Sequence, residues 1–169
     1  MYKNFIGKLA RICESDSSQK IFHDINNLYK MVTPDAFGKA INSEIVRNFD
    51  ITKLNVIKNG NSSYYKYNLI KTDKFDIFDI KWEKNSSSRI HDHADKGCIV
   101  YMYNQGNLTE LNFINSNNEL RFICNKNITQ SHISYKISNK YLHQIKCNTY
   151  SETLHIYIPG NFKMKYYNI

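Results

Sequence analysis

The chain has 169 residues, 41% of them hydrophobic and 14% aromatic, with a formal net charge of +8. That length fits one domain, and no apolar stretch reaches the ~18 residues that a membrane-spanning helix requires. Its lysines are spread along the chain with no block of like charge, which argues for a solvated basic surface rather than a dedicated nucleic-acid site.

Residues 1–50 read as helical. Phe5, Ile6, Leu9, Ile12 and Cys13 recur at helical spacing, as do Ile21, Phe22, Ile25, Leu28, Tyr29 and Val32. Ser17 or Ser18 can cap the second run. Thr33-Pro34-Asp35 reads as a new start, with Thr33 as N-cap and Pro34 in the first turn. From about Ile51 the pattern changes. Eight short apolar runs, at 65–70, 75–82, 98–103, 108–114, 121–124, 132–137, 143–147 and 153–158, alternate with Asn, Ser, Gly and Lys clusters. The stretches 61–64 and 115–119 read as hairpin loops. The expectation is a single domain over 1–169, mainly β, with a helical segment at 1–50 and a small β-barrel of jelly-roll type at 51–169. A barrel of that size leaves a pocket for one small ligand.

Cys13, Cys98, Cys124 and Cys147 form no CxxC pair, and Met1-Tyr2-Lys3-Asn4-Phe5 lacks the apolar run of a signal peptide. Free thiols in a cytoplasmic, reducing setting are expected, with Cys124 and Cys147 as buried strand thiols. Two of the six histidines form His91-Asp92-His93. On a strand, residues two apart share a face, so both imidazoles can aim at one point. His143, on a later strand, can supply a third. Neutral imidazole suits iron, zinc and copper alike.

The surroundings narrow this further. Ile90-His91-Asp92-His93 is followed by Gly97-Cys98-Ile99-Val100 and by Gly106-Asn107-Leu108-Thr109-Glu110. Leu142-His143 precedes Glu152-Thr153-Leu154-His155-Ile156-Tyr157-Ile158-Pro159. Trp82 stands nine residues before His91, and Tyr65-Lys66-Tyr67-Asn68-Leu69 lies upstream. This combination resembles the cysteine dioxygenase family of the cupin superfamily. The resemblance implies a cupin barrel and a non-haem Fe(II) site held by His91, His93 and His143. It pairs His155 with Tyr157 beside the iron and puts Thr153 where the family has Ser. Trp82 would support His155, Tyr65 would line the substrate pocket, and Cys98 and Tyr157 would be the partners of a thioether. The implied reaction adds O2 to a small thiol, L-cysteine first, to give a sulfinate, in a monomer with no membrane and no specific nucleic-acid partner.

One departure bears on the substrate. The family segment carries an Arg that grips the substrate carboxylate, and Tyr67 stands there. A regular strand would turn Lys66 to the opposite face, so Arg89, two residues before His91, becomes the compensating cation, with Arg121 more distant. Otherwise the substrate is another thiol, such as 3-mercaptopropionate. Three histidines also describe a zinc centre, and a non-catalytic ligand-sensing cupin is a further alternative.

Overall fold

The structure is a computed structural model and describes residues 5–59, 62–93, 96–117, 119–136 and 141–168. Three helices open the chain: α1 (Phe5–Cys13), α2 (Ser18–Met31) and α3 (Pro34–Arg47). Their starts follow from local chemistry. The Ser17 side chain accepts from the Lys20 backbone N–H at 3.2 Å, and Thr33 accepts from Ala36 at 3.3 Å with Pro34 directly after it.

Eleven described strands follow: β1 (Leu54–Asn59), β2 (Ser62–Lys71), β3 (Asp76–Trp82), β4 (Ile90–His91), β5 (Cys98–Met102), β6 (Asn107–Ser116), β7 (Glu119–Thr129), β8 (Ile133–Lys136), β9 (Tyr141–Thr149), β10 (Ser151–Tyr157) and β11 (Tyr166–Tyr167). They form a six-stranded sheet, ordered β1-β2-β3-β10-β5-β8, and a five-stranded sheet, ordered β11-β4-β9-β6-β7. All eight apolar runs noted above fall on strands, though Ile137 and the tip of the first hairpin lie outside the described residues. The expected barrel is two facing sheets: among the described residues no ladder joins one to the other. No described helix is long and apolar enough to cross a membrane.

The six-stranded sheet is covered on both faces, and strand periodicity sorts its side chains. On β10, Leu154 and Ile156 face the helices, where they join Ile77, Ile99 and Tyr101 against Phe5, Leu9, Ile21, Ile25, Phe37 and Ile41. Each such aliphatic side chain, fully buried, stabilises the fold by about 1.5–3 kcal/mol. The alternate residues Thr153, His155 and Tyr157 face the other sheet, in the layer that holds Phe78, Ile80, Trp82, Cys98 and Val100. Thus one strand contributes apolar residues to the helix-side core and polar residues to the space between the sheets.

Candidate metal centre

The five-stranded sheet brings three histidines together. In the β4–β9 register His91 stands directly opposite His143, and His93 follows β4 by two residues. Asp92, between them, turns the other way and accepts from the Lys165 backbone N–H at 2.7 Å, which holds the C-terminal segment against β4. The ring nitrogen Nε2 of His143 lies 3.0 Å from Nε2 of His91 and 3.1 Å from Nε2 of His93. One ligand atom from each of the three residues falls within 4.8 Å of the other two, and all three rings are buried.

The far side of each ring has its own acceptor. Nδ1 of His91 meets the Arg89 carbonyl at 2.8 Å, that of His93 meets the Tyr141 carbonyl at 3.0 Å, and that of His143 meets Oε1 of Glu110 at 2.7 Å. With Nδ1–H donating outward, each Nε2 lone pair is left pointing at the shared centre. Burial, reinforced by the neighbouring His143, pushes the His91 imidazole down to about 3 and that of His93 well below its ordinary value. Both rings are therefore neutral around pH 7. Three buried imidazoles aimed at one point fit a transition-metal cation.

Across the gap the six-stranded sheet presents a second set. Trp82 Nε1 donates to Thr153 Oγ1 at 2.8 Å, Oγ1 lies 2.9 Å from His155 Nε2, and His155 Nδ1 lies 3.4 Å from the Tyr157 hydroxyl. The Trp82 donor fixes one end of this chain. With the Thr153 hydroxyl donating to Nε2, Nδ1–H donates to the Tyr157 hydroxyl oxygen and frees the phenol proton to point elsewhere. Burial holds His155 neutral, helped by the charge of Lys66, and pushes the Tyr157 phenol well up. Cys98 pairs directly with Tyr157 in the β5–β10 register, so the two side chains share the inner face, and burial raises that thiol to about 12. Gly97 makes the entry to β5 possible: its φ is +111°, and a Cβ there would come within 2.5 Å of the Tyr135 ring.

Replacing Thr153 by Val removes the oxygen on which both Trp82 and His155 depend. It leaves a buried indole N–H and a buried imidazole nitrogen unmatched, so unfolding in urea is expected to show a loss of about 1–3 kcal/mol.

Comparison with known families agrees with this geometry. The family model described as cysteine dioxygenase type I matches residues 39–168, from within α3 to the end of the described chain. The chain belongs to the cysteine dioxygenase family. The description of the matched model names a dioxygenase. Among solved structures, a single-substitution variant of oxalate decarboxylase from Bacillus subtilis aligns with TM-score 0.51 at 10% identity, over 70% of this chain and 32% of that one. Oxalate decarboxylase from the same organism at pH 4.6 aligns with TM-score 0.50, also at 10% identity, over 70% of this chain and 31% of that one. The chain spans about a third of the length of these structures, and the likeness shows a cupin-like fold. No curated protein sequence matches it.

Three expectations for the pocket of this cysteine dioxygenase family member need correction. Tyr65 and Tyr67 lie on the helix-facing side of β2, opposite Lys81 and Asp79, away from the histidines. Tyr65 donates to Glu83 Oε1 at 3.1 Å; Tyr67 donates to the Asn48 carbonyl at 3.1 Å and stacks on Phe49. The inner face of β2 carries Tyr64 and Lys66 instead. Tyr64 stacks on Trp82 with ring centroids 4.4 Å apart, and Lys66 Nζ lies 3.7 Å from the Phe78 ring centroid and 5.0 Å from that of Tyr157. Arg89 is exposed, its guanidinium lying over the Tyr166 ring at 4.6 Å, and Arg121 is exposed beside Glu119. On β2 the cation turned to the inner face is therefore Lys66. Cys124, expected to be buried, is exposed on the edge strand β7.

Sequence reasoning also passed over Glu110, fully buried and bonded to His143. Its position two residues after the inward Leu108 on β6 was the available signal, since a carboxylate on an inner face must find a cation or a donor.

Proposed function

We propose that the protein is an iron(II)-dependent thiol dioxygenase. Its substrate is a small thiol bearing a carboxylate, L-cysteine first and 3-mercaptopropionate second, and its product is the corresponding sulfinate. In the balanced reaction RSH and O2 give RSO2H: the sulfur is oxidised, dioxygen is reduced, and both oxygen atoms stay in the product. The observation that carries the substrate class is Lys66. It lies over the rings of Phe78 and Tyr157 between the sheets, and it belongs to none of the ion pairs among the described residues.

His91, His93 and His143 would hold the iron, which supplies open coordination positions where a thiolate and dioxygen can meet. The chain's own residues do the rest. Lys66 binds the substrate carboxylate as a point charge and so sets the direction in which the thiol enters. Tyr157 offers a hydroxyl between that carboxylate and the metal side, and the Trp82–Thr153–His155 chain holds it in place. The apolar wall of Phe78, Ile80 and Val100 excludes water from the same space. Because a single ammonium reads charge and not a planar fork, 3-mercaptopropionate remains a good second substrate.

The direct test is an oxygen electrode with protein loaded separately with iron and with zinc, given L-cysteine, 3-mercaptopropionate and cysteamine. Uptake by the iron form with the two carboxylate thiols is the expected result. Silence of the iron form with all three thiols overturns the proposal. Hydrolytic activity of the zinc form would favour a zinc enzyme, and ligand binding without turnover would favour a sensing cupin.

The pairing of Cys98 with Tyr157 supports a thioether between them. Its formation breaks the S–H bond of Cys98 and a ring C–H bond of Tyr157 and makes a C–S bond, a two-electron oxidation in which dioxygen takes both hydrogens and is reduced to hydrogen peroxide. Intact mass of protein that has turned over is expected to be lower by two hydrogens, and Cys98→Ser protein is expected to show no such loss.

A further inference from the structure

The three histidines differ behind the ring. Two donate to peptide carbonyls, which are neutral, whereas His143 donates to the carboxylate of Glu110. Glu110 is itself fully buried, and its other oxygen, Oε2, lies 3.0 Å from Lys136 Nζ. That ammonium also donates to Asn112 Oδ1 at 2.7 Å. Lys136 sits on β8 at the edge of the six-stranded sheet, directly opposite Cys98 on β5, while Glu110 and Asn112 sit on β6 of the five-stranded sheet. The network thus crosses from one sheet to the other and ends on a single ligand.

We infer that Glu110 is a positioning residue that delivers negative charge to the metal through His143, and that Lys136 sets how much of that charge arrives. The inference rests on the reading of His91, His93 and His143 as metal ligands. Its physical content is that the centre is not held by three equivalent neutral donors. A carboxylate one hydrogen bond behind an imidazole draws its N–H proton outward and makes the other nitrogen a stronger donor. A cation on the far side of the same carboxylate opposes this, because the proton in the His143–Glu110 bond then shifts back toward the ring. Glu110 and Lys136 therefore act on the metal with opposite signs. The two peptide carbonyls behind His91 and His93 offer no such adjustment.

A merely structural role predicts something else. If the pair only ties the sheets together, removing either member loosens the site and weakens metal binding in the same direction. The sign of the Lys136 effect therefore separates the two.

The experiment is titration of purified protein with cobalt(II) against a competing chelator, with the visible ligand-field bands recorded alongside the affinity. For Glu110→Gln, which keeps the shape and one acceptor but loses the charge, cobalt affinity is expected to fall about 10–100-fold, with a shift of the bands. For Lys136→Met, which keeps most of the side-chain length and removes the charge paired with Glu110, affinity is expected to stay level or rise, with the bands shifting the other way. Lys136→Arg restores the wild-type spectrum. Equal weakening in Glu110→Gln and Lys136→Met, or unchanged affinity in Glu110→Gln, overturns the inference and leaves the metal centre standing. Failure of the wild-type protein to bind cobalt at all would remove the metal reading itself.

Discussion

Changing His93 to Ala is expected to abolish both metal retention and oxygen uptake, the latter by about 10³-fold or more. His93 is the cleanest of the three ligand positions to test. Removing His143 would orphan the buried Glu110 carboxylate and add a folding penalty to the loss of a ligand. Removing His91 would empty the side-chain position directly opposite His143 in the one β4–β9 pair, and so disturb a second ligand. The Nδ1 of His93 meets only the Tyr141 carbonyl, so Ala there leaves a small cavity and one unmet backbone acceptor. Two ring nitrogens cannot hold a divalent ion as three do, and the variant should therefore elute metal-poor while still folding. Metal content by elemental analysis, read beside the oxygen electrode, checks both statements. His132→Ala, half-buried in the turn before β8, is the control and should retain metal and activity.

The second large effect belongs to Lys66. Its ammonium is the cation on the inner face of β2, and a carboxylate bound there would be largely desolvated. Losing one partner of such a pair costs about 2–3 kcal/mol, which is roughly a 30- to 150-fold change. Lys66→Met is expected to raise KM for L-cysteine and 3-mercaptopropionate by that factor and to leave cysteamine, which has no carboxylate, little changed. The pH dependence carries a second signature. Burial pulls the Lys66 ammonium down to about 8, although nearby Cys98 and Asp76 act the other way. A lysine loses its charge as pH rises through its pKa, so the advantage of carboxylate thiols is full below about pH 8 and declines above it. In Lys66→Arg the guanidinium stays charged across the range. That variant should keep the preference above pH 8, while ionisation of the substrate thiol affects both proteins alike. A KM that ignores Lys66→Met would place the carboxylate elsewhere.

How much of this was written in the chain varies by residue. The helix starts at Ser17 and Thr33 were legible because a side-chain oxygen followed by a free N–H is a local device. The eight apolar runs were legible as strands because each is short and bounded by Asn, Ser, Gly or Lys clusters. His91, His93 and His143 stood out because two imidazoles at i and i+2 on a strand must share a face. The face of β2 was not legible. Tyr64, Tyr65 and Tyr67 follow one another with a single lysine between, so aromatic residues occupy both faces and alternation cannot choose between the two registers. The pairing with β3 stays in step through Asn68, opposite Phe78, and shifts only beyond it, so Tyr64, Lys66 and Asn68 share the inner face. The resemblance places Tyr65 and Tyr67 in the pocket, whereas the ladder puts Tyr64 and Lys66 on the inner face. Arg89 was misread for a related reason: it precedes β4, whose described span is only Ile90–His91, so strand alternation does not reach it. The partnership of Glu110 with Lys136 depends on two sheets meeting, which no local pattern encodes.

The central claim is that three imidazoles and a facing lysine bring a thiol and dioxygen together between the sheets. Turnover of L-cysteine under 18O2 by the iron-loaded protein tests it most directly, with the sulfinate product read by mass spectrometry. Both product oxygens are expected to carry the label, and oxygen uptake to equal sulfinate formed. Label entering from solvent water instead, or no sulfinate from protein shown to retain its iron, would contradict it.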